Sequence, residues 1–232
     1  MSEEEKSDRA AWNHSLTLHR GLLALRVLAE HPDGLSVSEL AAALDTHRAG
    51  TYRLLGPLIE QRLVHRTDGG RHVLGAGLVE LASRVQPRLQ EVAVLHLREL
   101  ADELGTTTAL TLRDEDEAVV AAVVQPRNTD VHVTYRAGVR HLIDQAASGI
   151  AILAGNPPQP GERAAITEAR ARGWSVSRSE LLKGLTGVGA PIRSGPASEA
   201  SISAVWIEPR DSEAAGKRLA AVADQISAEL RS

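Results

Sequence analysis

The chain has 232 residues, 43% of them hydrophobic, with 26 basic and 30 acidic side chains for a net charge of −4. That length builds one large domain or two modest ones with real cores, and the acidic balance argues against indiscriminate polyanion binding. The lack of cysteine excludes a disulfide framework or thiolate metal site, and the scarcity of aromatics (three Trp, two Tyr, no Phe) disfavours stacking on single-stranded bases.

Residues 1–12, opening MSEEEKSD, are charged and aperiodic and predict a disordered tail. No leader-type apolar region and no apolar run near ~18 residues occurs, so the expectation is a cytoplasmic protein without membrane association. From Ser15 to His31, a stripe of Leu18, Leu22, Leu25 and Ala29 predicts a helix, stopped by Pro32-Asp33-Gly34. Ser36 and Glu39 then form a capping box, with Leu35 and Leu40 as its hydrophobic staple, and Val37, Leu40, Ala41 and Leu44 share one helical face. A second helix follows the break at Asp45–Thr46 and runs through HRAGTYRLLGPLIEQ. After it come the apolar pair Leu63–Val64, a turn at Thr67–Gly70 and an extended piece, Arg71–Leu74. Two short helices and an arginine-bearing ribbon predict a winged helix-turn-helix over 13–75. Leu78, Leu81 and Val85 mark a linker helix over 76–88.

On a helical wheel, Thr51, Leu54, Leu55 and Leu58 face the core, and Arg48, Ala49, Tyr52, Arg53 and Gly56 face outward. Either guanidinium suits a guanine edge or a phosphate, Tyr52 a phosphate or thymine methyl, and the small Ala49 and Gly56 allow close approach to a groove. Thr46 and His47 offer a hydroxyl and a backbone N–H to a phosphate at the helix start, and Arg66 and Arg71 flank the wing turn. Five arginines against Glu60 and Asp68 between Thr46 and His72 make this stretch locally basic, as site-selective binding to duplex DNA requires. Pro57 predicts a bend or early unwinding after Gly56.

The remainder, 89–232, reads as α+β. Ala93, Leu97, Leu100 and Leu104 mark a helix ended by Gly105. TTALTLR, AVVAAVVQ, VHVTYR, WSVS, LTGVGAPI and ASISAVWI read as strands. Ala147 to Ala154, Ile166 to Arg172 and a segment capped by Asp211 read as helices. The expected architecture is an antiparallel sheet covered on one face. Ser148–Gly149 lacks the strand–elbow–helix context of a hydrolase nucleophile, and no histidine spacing suits a metal. No enzyme, cofactor or metal site is predicted.

The run from Ser15 to Ser83, SLTLHRGLLALRVLAEHPDGLSVSELAAALDTHRAGTYRLLGPLIEQRLVHRTDGGRHVLGAGLVELAS, resembles the DNA-binding domain of IclR-type transcriptional regulators. GVRHLIDQAASGIAILAG and RARGWSVSRSELLKGLTGVGAPI resemble segments of the same family's second domain, so the likeness spans roughly 15–230. It implies a homodimer or dimer of dimers that binds a palindromic operator, acting here as a repressor, with a GAF-like C-terminal domain for a small-molecule effector. Carried over position by position, the effector pocket comprises His141, Ala147, Ser148, Ser177, Leu185, Gly187, Val205 and Ile207, with Val133 on a neighbouring strand. Members that bind oxo-acids carry hydroxyls on the last strand. Apolar Val205 and Ile207 therefore suggest a ligand with an apolar or aromatic part, its carboxylate held by N–H groups at Ala147–Gly149. The family's Ser-Thr is Ala49–Gly50 here, its lysine is Ile150, and the cover over the pocket from Ala154 to Ala169 is shorter. Ala49, Gly50 and Pro57 leave as a first alternative a metabolite sensor whose DNA-binding domain has degenerated; the other is a ligand-processing enzyme built on the sensor domain, with His141 and Ser177 as the residues to test.

Overall fold

A computed structural model describes residues 15–129, 133, 135–195, 197–207 and 211–232, and its chain divides between Val85 and Gln86 into two units. The expected tail, and residues 131, 132 and 134 of the expected strand over 131–136, lie outside the described residues.

In the first unit, α1 (Leu16–Ala29) starts at Ser15, whose Oγ accepts the Leu18 N–H at 3.3 Å. Its buried row is Gly21, Ala24 and Leu28, whereas Leu18 is 63% exposed and Leu22 51% exposed. The predicted stripe is thus displaced around the helix. Side-chain size pointed to the leucines, but the core takes the small residues, which let the helix sit close to its neighbours. The cap of α2 (Val37–Ala43) forms as expected: Glu39 N–H donates to Ser36 Oγ at 3.2 Å, and Ser36 N–H donates to the Glu39 carboxylate at 2.7 Å. Val37, Leu40 and Leu44 join Ala24, Leu28, Leu54, Leu55 and Val64 in one core.

Pro57 neither ends nor unwinds α3 (Arg48–Glu60), which runs three residues past it, with Gln61 N–H donating to the Pro57 carbonyl at 3.0 Å. The proline forfeits one backbone hydrogen bond, but Leu54 and Leu55 before it and half-buried Leu58 after it are held by the core. The wing is the antiparallel pair β1 (Val64–Arg66) and β2 (His72–Leu74). It is extended by a bridge in which Leu35 and His72 exchange both backbone hydrogen bonds. The expected linker helix is two pieces, α4 (Gly77–Ala82) and the start of α5 (Pro87–Leu104), separated by Gln86 in a left-handed conformation.

The second unit is a six-stranded antiparallel sheet of order β5-β4-β3-β8-β7-β6. Its strands are β3 (Thr107–Asp114), β4 (Glu117–Val124), β5 (Arg140–Leu142), β6 (Ser175–Arg178), β7 (Thr186–Ile192) and β8 (Ala200–Trp206). On one face Leu110, Val188 and Ile202 pack against Leu97 and Leu100 of α5 and Leu219 and Ile226 of α8 (Ser212–Arg231).

The other face is covered too, which corrects the expected one-sided arrangement. Here α6 (Ala146–Ala154) is bound by hydroxyls: Ser175 Oγ donates to the Ala147 carbonyl, and Ser201 Oγ to the Ser148 carbonyl at 2.9 Å. A Cβ on Gly189 would stand 2.7 Å from that Ala147 carbonyl, so only glycine allows the approach. Outside α6, α7 (Ala164–Arg172) packs through Ile166 and Ala169 onto Ile150 and Ala154.

Candidate nucleic-acid interface and ligand cavity

The outward face of α3 follows from its core. With Thr51, Leu54 and Leu55 buried, the 3.6-residue period exposes Arg48, Ala49, Tyr52, Arg53 and Gly56. Neither guanidinium takes a hydrogen bond or ion pair among the described residues. At the start of α3 the N-cap is His47, and no side chain caps it, so its first N–H groups stay open to an outside acceptor. Thr46 is half-buried and His47 exposed beside them.

The two wing arginines differ. Arg66 is exposed and has no hydrogen-bonding partner among the described residues. Arg71 is half-buried, and its guanidinium donates to the Gly34 carbonyl at 2.7 and 3.1 Å and to the Asp33 carbonyl at 3.2 Å. It also pairs with Glu39 at 3.2 Å. Arg71 thus ties the wing to the loop before α2 through Nε and Nη2, while its side chain stays 42% exposed. Glu39, held by the Ser36 N–H and hydroxyl and by Arg71, has its carboxyl below the usual range. His72, buried at the root of the wing, is pushed down by desolvation, and its Nδ1 has no partner among the described residues.

In the second unit a cavity of about 340 Å³ lies between the hydroxyl-bearing face of the sheet and the start of α6. Register explains its floor. Ser177 opposes Gly187, Gly187 opposes Val205, and Val205 opposes Thr107, so one row crosses four strands. Val133, His141, Ala147, Ser148, Ser177, Leu185, Gly187 and Val205 all line this cavity. Ile207 does not; it is 54% exposed beyond the end of β8.

The sequence reading missed Thr111, Tyr135 and Ser203 on the polar wall, and Val139, Leu181 and Leu182 on the apolar one. No residue of 154–169 contributes, so the short segment there costs the cavity no wall; the 179–185 loop closes that side instead. Thr111 is fully buried and its hydroxyl has no partner among the described residues. Burial raises the Tyr135 phenol to about 12, against a hydrogen bond with Ser203 that lowers it. His141 Nδ1 lies 2.9 Å from the Leu142 carbonyl, which can only accept, and Nε2 lies 3.1 Å from Ser148 Oγ.

Comparison with known proteins gives the arrangement its context. The IclR helix-turn-helix domain model matches residues 17–68, from α1 through β1 into the wing turn. The HTH-type transcriptional regulator Rv1719 of Mycobacterium tuberculosis is 30% identical over 249 residues, covering 95% of this chain and 94% of that protein. The chain belongs to the IclR family of transcriptional regulators. It is a DNA-binding regulator with an N-terminal helix-turn-helix and a C-terminal α/β domain on an antiparallel sheet. The regulator TtgV of Pseudomonas putida is 28% identical over 142 residues, 60% of this chain and 54% of that one. Among solved structures, the Thermotoga maritima IclR superposes with a TM-score of 0.74 at 25% identity, covering 94% of this chain and 100% of that one. An IclR homolog from Microbacterium hydrocarbonoxydans complexed with 4-hydroxybenzoate has the same fold, with a TM-score of 0.81 at 21% identity over 93% and 99% of the two chains. Among the described residues no helix is long and apolar enough to cross a membrane.

Proposed function

We propose that this IclR-family regulator reads a palindromic operator through the outward face of α3 and that a small molecule in the sheet–α6 cavity modulates its affinity. The observation that carries the DNA half is that Arg48 and Arg53, beside Ala49 and Tyr52, are unpaired among the described residues of an otherwise acidic chain. Arg48 and Arg53 read base edges or hold phosphates, Tyr52 and Thr46 bond phosphates, and the open N–H groups after His47 donate to a phosphate oxygen. Arg66 carries the wing's contact with the flanking backbone, and Arg71 fixes the wing's position.

Homo-oligomerisation is supported by apolar side chains left exposed on α1, Leu16, Leu18 and Leu22. A two-fold assembly reads a two-fold site, with its recognition helices about 34 Å apart or a multiple of that. The effector half is supported by the cavity itself, largely apolar with a few convergent hydroxyls, and near the lower end of the ~300–1,000 Å³ typical of small-molecule sites. That a homolog of the same fold was solved with 4-hydroxybenzoate is consistent with it.

Footprinting on the DNA upstream of the protein's own coding region tests the proposal. Two protected segments related by a dyad and spaced by whole helical turns are expected. Uniform, weak protection of any duplex would instead favour a metabolite sensor that has lost its operator.

A further inference from the structure

We propose that the sheet–α6 cavity selects an uncharged ligand, an apolar or aromatic body bearing one hydroxyl or carbonyl group directed at Thr111, and that it discriminates against carboxylates. The proposal rests on the reading of this cavity as the effector site, and it replaces the carboxylate that the helix start suggested from sequence.

Charge on the cavity walls is already committed. Among the described lining residues Arg140 is the one guanidinium, and it is held by two acids, Asp114 and, at 2.7 Å, Glu117. The lining carboxylate, Glu180, is paired with Arg163 through contacts of 3.0 and 3.3 Å. Among the described lining residues no unpaired guanidinium or ammonium is left for an incoming anion, and an anion buried without one loses its hydration uncompensated. At the start of α6, the Ala146 N–H donates to the Glu180 carboxylate at 3.0 Å, and the Ala147 N–H donates to Ser177 Oγ at 2.9 Å. The chain's own carboxylate therefore sits on the first N–H of this helix, and a second carboxylate beside it would meet like charge.

What the cavity does leave unanswered is a neutral hydrogen bond. Thr111 is fully buried on β3, opposite Val120 and Ser201, and its hydroxyl is unpartnered among the described residues. Ser201 donates its own hydroxyl to the Ser148 carbonyl and makes no hydrogen bond with Thr111. Tyr135 and Ser203, on the same wall, bond each other and stay uncharged. Leu181, Leu182, Leu185, Val133 and Val139 supply the apolar surface for the rest of the ligand. A polar group left alone in an apolar pocket is costly, and a ligand that completes it is selected over one that does not.

Calorimetric and thermal-shift titration of the full chain with benzyl alcohol, benzamide and benzoate at pH 7.5 tests this directly. Both uncharged probes are expected to bind saturably and raise the melting temperature, with benzoate at least tenfold weaker. Thr111→Val, a near-isosteric change, should weaken benzyl alcohol and benzamide about tenfold while leaving the melting temperature of the free protein at or above that of the parent. Benzoate binding as tightly as the uncharged probes, or Thr111→Val leaving their affinities unchanged, overturns the selectivity while the cavity survives as a ligand site. Binding that persists undiminished when Val205→Trp fills the cavity, or no binding by any of the three at millimolar concentration, overturns the cavity reading and the selectivity together.

Discussion

Within the locally basic N-terminal unit, folding separates arginines that look alike in the sequence. Arg71 gives its Nε and Nη2 donors to Gly34, Asp33 and Glu39, and so holds the wing against the loop before α2. Arg48, Arg53 and Arg66 have no hydrogen-bonding partner among the described residues. Arg53→Ala should leave the melting temperature unchanged and weaken operator binding by about 1–3 kcal/mol. Arg71→Ala should lower stability by about 1–2 kcal/mol, measured by denaturant unfolding, because three carbonyl contacts and an ion pair go together. Arg71→Lys should recover little of that loss, since an ammonium cannot reproduce the fork. The capping box and the outward face of α3 were legible because both depend on spacing within one helix. The fate of Arg71 was not, since its acceptors are backbone carbonyls that only the wing's return to the Asp33–Gly34 turn brings near.

Among the elements, α3 is the clearest case of packing overriding a local signal. Pro57 removes one intrahelical bond, yet buried Leu54 and Leu55 before it and half-buried Leu58 after it keep the helix intact to Glu60. Pro57→Ala should therefore raise stability by about 1 kcal/mol or more in thermal unfolding, with operator affinity unchanged because position 57 lies beyond the reading turn. The wing carries a pH dependence of its own. His72 is buried at its root, and desolvation lowers its pKa, so folding favours the neutral ring. Its stabilising contribution is full above the unfolded value of about 6.5 and is lost as pH falls through the lower folded value. An NMR titration of the full chain should give His72 a midpoint below the ordinary histidine range, with amide protection in β1 and β2 falling together with it. Most elements of the second unit follow from turn residues and alternation, but the short edge strand β5 reads as loop in the sequence, and residues 133, 135 and 136 of the expected strand over 131–136 are not in a strand. What sequence could not give was register. Thr111, Ser203 and Ser177 reach one cavity only because β3, β8, β7 and β6 align those rows, and hydroxyls alternating along a strand otherwise read as a solvent face. The same blindness put the α1 stripe on the leucines rather than on Gly21 and Ala24.

For the whole molecule, regulation requires that the effector bind one state of the assembly more tightly than the other; equal affinity for both changes nothing. An effector of the class inferred above should alter operator affinity in the full chain, and Val205→Trp should leave operator binding intact while abolishing that response. The DNA-reading surface itself is most directly tested by fluorescence anisotropy of a duplex from the protein's own upstream region, titrated with the full chain and with Arg48→Ala/Arg53→Ala across a salt series. The parent should bind this duplex far more tightly than scrambled DNA, with affinity falling steeply as salt rises. The double variant, folded and melting like the parent, should lose most of that preference and show a shallower salt slope. A double variant that matches the parent in affinity, preference and slope would show that another surface of the protein engages the duplex.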